Sequence, residues 1–298
     1  MGNFVLDGIM GLCVADVMGV PVEFMDRETL KKNPVVDMRK YGTYNQPAGT
    51  WSDDTSMTLC LVDSLSKGLN YEDIMLNFIK WIEESAYTPY GEAFDIGFTT
   101  RKALMRFKKG VPPLECGGRS EHDNGNGSIM RILPILFYLQ SMYGTNFTDI
   151  GEAYEIIHNI SNLTHGHKRS QIACGIYISV ASRLIGDMDM KIAVSLGIYQ
   201  AMEFYEGRED YIDELKHFKQ LERKDFAGLP EEEIKSSGYV VDTFEAAIWC
   251  LLNTENYRDC VLKAVNLGND TDTVAAVAGG LAGLKYGYES IPQDWVNE

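Results

Sequence analysis

The most constraining feature of this sequence is a helical spacing of apolar residues that recurs along almost the whole chain. The clearest case places apolar side chains at i, i+3, i+4 and i+7, at Phe244, Ala247, Ile248, Leu251 and Leu252. No segment alternates apolar and polar residues over the length of a strand with enrichment in β-branched residues. The sequence therefore predicts an all-α protein.

The length of the chain, 298 residues, allows one large domain or two smaller ones. The segment 203–236 is highly charged, but it lacks the proline- and serine-rich composition of a linker. We therefore predict one domain over residues 1–298, with a charged helical excursion near 203–236.

The charge and cysteine content exclude several functional classes. A formal net charge of −16 argues against broad contact with nucleic acid or an anionic membrane. The six cysteines form no CxxC pair, and the apolar run at 129–139 is too short to span a bilayer. No basic region precedes the apolar N-terminal residues, so we expect no signal peptide. We expect a cytoplasmic monomer that binds neither nucleic acid nor membrane.

Two adjacent carboxylates mark the point where an irregular segment gives way to a helical pattern. Asp53 and Asp54 follow Ser52, and the helical pattern continues to a stop at Gly68. Ser52 or Asp53 can cap this helix, whereas a second carboxylate beside the cap repels the first unless the two share a cation. For this motif taken alone, a solvated acidic helix start is the ordinary explanation.

A second acidic cluster near the other end of the chain favours a shared site instead. Asp270 and Asp272 stand with Thr273 at the start of another predicted helix, which carries alanines and glycines over residues 275–283. Each glycine costs a helix about 1 kcal/mol relative to alanine, so we interpret these small residues as allowing close approach by a neighbouring backbone. A tightly packed helix would hold its carboxylates rigidly.

The two clusters together offer an all-oxygen ligand set, composed of Ser52, Asp53, Asp54, Asp270, Asp272 and Thr273. Oxygen ligands suit Mg²⁺ or Mn²⁺, and Ca²⁺ less specifically. Four carboxylates exceed the need of one ion, so we predict two neighbouring divalent cations that bridge a substrate or a water molecule.

Two further acids are candidates for proton transfer. Glu23 follows a turn, and Asp95 lies in a glycine-flanked segment. Either residue can serve as a general acid or base. Taken alone, each is more commonly a surface or capping carboxylate.

Other motifs have weaker functional interpretations. The small-residue loop 123–128 can expose backbone N–H groups to a phosphate, although such loops usually only make turns. His165 and His167 lie at a helix boundary, where capping or turn hydrogen bonds are the common role. Arg131, inside an apolar run, needs an anionic partner or an exposed position, and we consider a carboxylate first and a ligand phosphate second.

Taken in order, these motifs resemble those of the ADP-ribosylglycohydrolase family. The resemblance covers essentially the full chain, at residues 11–19 with Glu23, and at 51–55, 126–131, 163–165, 237–240, 268–273 and 291–295. It implies a compact orthogonal helical bundle that holds two Mg²⁺ or Mn²⁺ ions. It also implies hydrolysis of the bond between ADP-ribose and an acceptor, often the arginine side chain of a protein.

The resemblance also implies a role for each matching residue. The oxygen ligand set given above would bind the metals, and Glu23, Asp95 and Asp54 would be catalytic. Asn126, Gly127, Ser128 and His165 would line the cleft for ADP-ribose. The departures from the family pattern, Ser52 for threonine, Ala15 for glycine and Asn269 for glycine, remove no ligand oxygen.

Three alternatives remain open at this point. The chain can be a hydrolase of a small ADP-ribosylated molecule or nucleoside, or a non-catalytic relative that binds ADP-ribose or divalent cations. It can also be a metal-dependent phosphohydrolase, because paired aspartate clusters serve phosphoryl transfer as well.

Overall fold

The computed structural model describes residues 3–298, and within that range it contains helices and isolated β-bridges but no sheet. The predicted all-α class is confirmed. The helices are α1 (Phe4–Gly19), α2 (Arg27–Lys32), α3 (Asp53–Leu65), α4 (Tyr71–Glu84), α5 (Phe98–Lys108), α6 (Pro134–Tyr143), α7 (Gly151–Asn162), α8 (Lys168–Leu184), α9 (Met190–Glu206), α10 (Glu209–Leu215), α11 (Val240–Leu252), α12 (Tyr257–Val265), α13 (Thr271–Tyr286) and α14 (Gln293–Asn297).

Helices α1 and α13 pack against each other at the centre of the fold. A Cβ atom added to Gly11 would lie 2.5 Å from the carbonyl oxygen of Gly279, so only glycine permits this approach. The interpretation of the small residues in α13 is therefore confirmed. At the end of α1, a Cβ atom on Gly19 would lie 2.3 Å from the Cα atom of Asp272. This close packing places the C-terminal end of α1 against the acidic start of α13.

The N-terminal stretch Phe4–Val22 is long and apolar enough to cross a membrane by length and composition alone. In the structure, 72% of its most apolar window is buried inside the fold. The apolar side chains of this stretch therefore pack as those of a core helix do.

Helix α3 begins where its sequence predicts. Ser52 is the N-cap, and its hydroxyl oxygen accepts a hydrogen bond from the backbone N–H of Asp54 at 3.3 Å. Helix α13 begins directly after Asp270. The starts of the two helices meet, because the Thr273 hydroxyl donates to Oδ2 of Asp54 at 3.2 Å.

The helical pattern of the sequence also predicts helix caps at Thr148 and at Asp242 or Thr243, and the structure contradicts both. Helix α11 begins at Val240, so Asp242 and Thr243 lie inside its first turn, and the Thr243 hydroxyl donates to the carbonyl of Ser237. Helix α7 begins at Gly151, and Thr148 instead lies in the preceding 3₁₀ turn, where it accepts a hydrogen bond from Arg183. Tertiary contacts engage these hydroxyls in place of capping.

The charged segment 203–236 forms the end of α9, helix α10 and a series of short 3₁₀ turns. Tyr211, Phe218 and Phe226 are buried side chains that attach the segment to the rest of the fold, next to α8, α9 and α11.

Candidate active site

The acidic starts of α3 and α13 form the floor of the candidate site. Asp54 and Asp272 are fully buried, and Asp53 and Thr273 are 5% exposed. Three carboxylate oxygens, Oδ1 of Asp54, Oδ1 of Asp270 and Oδ2 of Asp272, are buried without a hydrogen-bond partner in the part of the chain that the structure describes. Buried polar atoms are rarely left unpaired, so these oxygens identify a place for a cationic ligand.

The electrostatics of this floor are unfavourable without a cation. Burial raises the pKa of Asp54 and Asp272 well above the usual range, and neighbouring carboxylates raise it further. The pKa of Asp53 is raised in the same way, by burial and then by the charge of Asp95. Each of these carboxylates becomes easier to ionise when a positive charge is placed among them.

Carboxylate oxygens converge in two overlapping groups. Single oxygens of Asp16, Asp54 and Asp272 lie within 4.8 Å of one another, and so do oxygens of Glu23, Asp95 and Asp272. Asp272 belongs to both groups. Neither group contains a cysteine or a histidine, so the donor set fits hard cations such as Mg²⁺ and Mn²⁺.

Asp16 is a site residue that the sequence analysis did not single out. It is fully buried, and its two oxygens accept hydrogen bonds from the backbone N–H and hydroxyl groups of Ser52 and Thr55, at 2.6–3.1 Å. Burial raises its pKa to about 6. Asp16 therefore orients the start of α3. The sequence offered one signal for this role, because Asp16 is a charged residue among apolar neighbours on α1.

A second acidic unit lies beside the floor. The hydroxyl oxygen of Tyr44 is 2.6 Å from Oε2 of Glu23 and 2.5 Å from Oδ1 of Asp95. One hydroxyl hydrogen cannot be donated fully to both oxygens, so this contact favours a proton on one of the two carboxyls. Burial and the charge of Asp95 raise the pKa of Glu23 to about 9, and burial raises that of Asp95 to about 6.

Tertiary contacts, not local sequence, hold this second unit together. Asp95 has a φ of +61°, a left-handed conformation that is uncommon for a residue other than glycine. Tyr44 ends a short 3₁₀ turn, Gly42–Tyr44, and no pattern in the sequence marks it. The strained backbone of Asp95 is of the kind that is retained at functional sites.

A cleft of about 330 Å³ opens above the carboxylates. It is lined by Glu23, Phe24, Asp53, Asp95, Gly97, Phe98, Thr99, Thr100, His122, Gly125, Asn126, Gly127, Met130, His165, Gly238, Asp270 and Thr273. The side-chain amide of Asn126 donates to Oδ2 of Asp270 at 2.8 Å, which ties the loop 123–128 to the floor.

The residues predicted to bind substrate do not all reach the cleft. Asn126, Gly127 and His165 line it. The side chain of Ser128 is fully buried and instead accepts a weak hydrogen bond from the thiol of Cys174 at 3.5 Å. The chain turns into the core at the apolar residues after position 128, and this turn draws the Ser128 hydroxyl away from the cleft.

His167 lies outside the cleft and accepts a hydrogen bond from the backbone N–H of Arg169 as the N-cap of α8, so the predicted capping role is confirmed. A larger cavity, of about 530 Å³, lies between α9 and the turns at 221–227. It contains none of the carboxylates described above. The carboxylates, and not the cavity volume, therefore identify the candidate site.

Comparison with known proteins gives consistent results. The family model for ADP-ribosylglycohydrolase matches residues 3–298. The chain is 32% identical to an ADP-ribosylarginine hydrolase, Tri1, of Serratia proteamaculans, over 97% of this chain and 73% of the relative. It is 29% identical to the ADP-ribosyl-[dinitrogen reductase] glycohydrolase of Rhodospirillum rubrum, over 98% of this chain and 89% of that relative. A solved ADP-ribosylglycohydrolase-related protein complex is 27% identical, with a TM-score of 0.77 over 99% of this chain and 91% of that chain.

Proposed function

The chain belongs to the ADP-ribosylglycohydrolase family, and on that premise we propose that it removes ADP-ribose from arginine side chains of modified proteins. It is a hydrolase of ADP-ribosylated substrates. The choice of arginine is supported by two relatives, at 32% and 31% identity, that are named ADP-ribosylarginine hydrolases.

The observation that carries the proposal is the set of unpaired buried oxygens on Asp54, Asp270 and Asp272. We propose that two divalent cations, Mg²⁺ or Mn²⁺, are held by Ser52, Asp53, Asp54, Asp270, Asp272 and Thr273, with Glu23 beside them. Asp16 is better suited to orient these ligands, because its oxygens are already engaged by Ser52 and Thr55. When bound, such ions polarise sugar hydroxyls and lower the pKa of a water molecule.

The residues around the ions have separate tasks in this proposal. Departure of the arginine leaves its guanidine nitrogen in need of a proton, while the attacking water releases one. Glu23 and Asp95 share a proton through Tyr44, so this unit can supply one proton and accept the other. The carboxylate of Asp54 stabilises the positive charge that develops on the ribose.

The cleft supplies binding and orientation. Asn126 is fixed by hydrogen bonds to Asp270 and Thr243, at 2.8 and 2.9 Å, so the loop beside it is rigid relative to the floor. The aromatic rings of Phe24 and Phe98 are 67% and 71% exposed at the cleft. Exposed rings at a cleft are suited to stacking on a flat group of the ligand.

The test is release of free ADP-ribose from an arginine-ADP-ribosylated protein, with Mg²⁺, with Mn²⁺ and with EDTA. We expect release that depends on the metal, and loss of release in Glu23→Gln. The matched control is Glu28→Gln, which removes a carboxylate 75% exposed to solvent on α2.

Other results would identify the alternatives. Release only from serine-linked or small-molecule ADP-ribose would overturn the choice of arginine. Calorimetric binding of ADP-ribose without any turnover would indicate a binding protein. Phosphate released from ADP-ribose would indicate a phosphohydrolase.

A further inference from the structure

Arg131 is a buried cation that has no carboxylate partner among residues 3–298. It is fully buried, and its guanidinium donates to the carbonyl of Gly127, to the carbonyl of Ile160 at 3.4 Å and to the hydroxyl oxygen of Thr164 at 2.7 Å. This finding differs from the expected anionic partner. Gly127 belongs to the loop 123–128, and Ile160 and Thr164 lie at and just after the end of α7. Arg131 therefore joins these two segments on the buried side of the cleft.

The hydrogen bond from Arg131 determines how Thr164 uses its own hydroxyl. A guanidinium can only donate, so the Thr164 oxygen acts as an acceptor in this contact. The same oxygen lies 2.8 Å from Nδ1 of His165. Thr164 is fully buried, and Nδ1 is the acceptor within reach of its hydroxyl hydrogen in the part of the chain that the structure describes.

The proton on the His165 ring is therefore placed on the other nitrogen. If Nδ1 carried a hydrogen, the Thr164 oxygen would accept from both Arg131 and Nδ1, and its own hydroxyl hydrogen would be buried without an acceptor. The neutral ring with hydrogen on Nε2 gives the Thr164 hydroxyl an acceptor in Nδ1 and leaves the Nε2–H free for a partner outside residues 3–298. The charge of Arg131 and the burial of the ring both oppose protonation, and together they lower the pKa of His165 to about 3.

The Nε2 edge of the ring lies at the cleft. His165 is 2% exposed and lines the cleft, and its Nε2 atom has no hydrogen-bond partner within residues 3–298. Its backbone is held on both sides, because its N–H donates to the carbonyl of Ser161 at 2.8 Å and its carbonyl accepts from the Ser161 hydroxyl at 2.8 Å. The Gly127 backbone lies against the ring, where a Cβ atom would be 2.8 Å from Cε1.

We infer that Arg131 and Thr164 are positioning residues that hold His165 as the neutral Nε2–H tautomer, so that the ring presents a hydrogen-bond donor to an oxygen atom of the ligand. The part of this inference that concerns the ligand rests on the proposed function. The tautomer itself follows from the three side chains alone.

The first test is a long-range ¹H–¹⁵N spectrum of the ¹⁵N-histidine-labelled protein without ligand. We expect one of the five imidazole patterns to show an unprotonated Nδ1 and a protonated Nε2 that stay unchanged between pH 5.5 and 8. The His165→Gln variant assigns this pattern by its disappearance. A protonated Nδ1, or a ring that titrates in this range, would overturn the inference.

The second test compares Thr164→Val, which removes the hydroxyl at nearly constant shape, with Thr164→Ser, which keeps it. We expect Thr164→Val to lose the fixed tautomer and to bind ADP-ribose about tenfold more weakly by calorimetry, as for loss of one charge-assisted hydrogen bond. Thr164→Ser should keep both properties. Wild-type affinity and tautomer in Thr164→Val would overturn the positioning role.

The two proposals fail separately. If the wild-type protein shows the Nε2–H tautomer but neither binds nor releases ADP-ribose, the proposed function is overturned, and the tautomer assignment is supported by the spectrum alone. If the protein is active but His165 carries hydrogen on Nδ1, the positioning of His165 by Arg131 and Thr164 is overturned and the proposed function stands.

Discussion

Two buried polar clusters in this molecule differ in how completely they satisfy their own hydrogen bonds. In the first, His158 lies 2.8 Å from the hydroxyl of Tyr205 and 3.0 Å from that of Tyr211, which in turn donates to Oε1 of Gln171 at 2.7 Å. In the second, the acidic floor, the carboxylates of Asp54 and Asp272 each have one buried oxygen without a partner. The histidine cluster is complete without any ligand, whereas the acidic floor is not.

This difference distinguishes polar groups that are buried to stabilise the fold from polar groups that are buried to bind a ligand. A satisfied polar network rigidifies a core, and the His158 cluster joins α7, α8, α9 and α10 in this way. An unsatisfied cluster of like charges costs stability, and it is retained where a ligand supplies the missing partner. Four measurements test this contrast between the two clusters.

The largest effect is expected for Asp272→Asn, which removes the carboxylate shared by both oxygen groups. ADP-ribose release should fall by at least about 100-fold, because even outer-shell changes at metal sites typically cost 10–100-fold. In EDTA, the melting temperature of this variant should equal or exceed that of the wild type, because one repelling charge is gone.

Glu245→Gln is the control for Asp272→Asn. Burial also raises the pKa of Glu245, to about 7, but this residue lies on α11 and belongs to neither oxygen group. It should keep full activity. Full activity in Asp272→Asn would contradict the role assigned to the acidic floor.

The second effect is stabilisation of the wild-type protein by Mg²⁺ or Mn²⁺. A ligand that binds only the folded state at 100 times its dissociation constant adds about 2.7 kcal/mol. Thermal unfolding with metal and with EDTA measures this difference. Asp272→Asn should lose most of it, and an equal metal response in that variant would place the cations elsewhere.

The third effect is expected for Tyr211→Phe, which opens the histidine cluster. The change leaves Nδ1 of His158 and Oε1 of Gln171 without the hydroxyl that joins them. The free energy of unfolding should fall by about 1–3 kcal/mol, by the same amount with metal and with EDTA. Tyr199→Phe is the matched control, because Tyr199 is 63% exposed on α9. A metal-dependent loss in Tyr211→Phe would couple the two clusters.

The smallest effect is a pH dependence that comes from the second acidic unit, which Glu23, Tyr44 and Asp95 form beside the floor. The folded-state pKa of Glu23 is raised to about 9, so the stability that accompanies its proton is present at low pH and is lost as pH rises towards that value. His158, whose pKa burial lowers to about 3, is neutral above its unfolded value of about 6.5.

Between pH 6.5 and 8, the metal-free protein should therefore lose up to about 1.4 kcal/mol per pH unit for the proton on Glu23. Excess Mg²⁺ should suppress this loss, because the cations favour the ionised carboxylates. Denaturant unfolding across this pH range, with and without metal, measures the slopes. A slope that Mg²⁺ leaves unchanged would place the titrating groups outside the floor and the acidic unit beside it.

Much of the fold and part of the site could be predicted from the sequence because the relevant physics is local. Helical periodicity depends on residues three and four apart, and the cap at Ser52 on its immediate successors. The small residues of α13 report a close neighbour without identifying it. All six residues predicted to bind metal stand at the starts of α3 and α13, which local sequence also predicts, and their role as ligands remains a prediction.

The residues that were missed depend on long-range contacts. Asp16 hydrogen-bonds Ser52, which is 36 positions away, and Tyr44 reaches Asp95 across 51 positions. No periodicity connects such pairs. The partners of Arg131 were wrongly expected to be anionic, because the composition of a segment does not reveal which carbonyl groups surround it in the fold.

By itself, the sequence determined the helical class, the two acidic helix starts and the glycines that allow α1 to touch α13, because each depends on neighbouring residues and on the space that a side chain occupies. Only the tertiary structure decided that both acidic starts meet, that Asp16 braces one of them, that Ser128 points into the core, and that His165 has its proton facing the cleft. These properties depend on which groups remain unpaired after folding, and that is set by the packing of the whole chain.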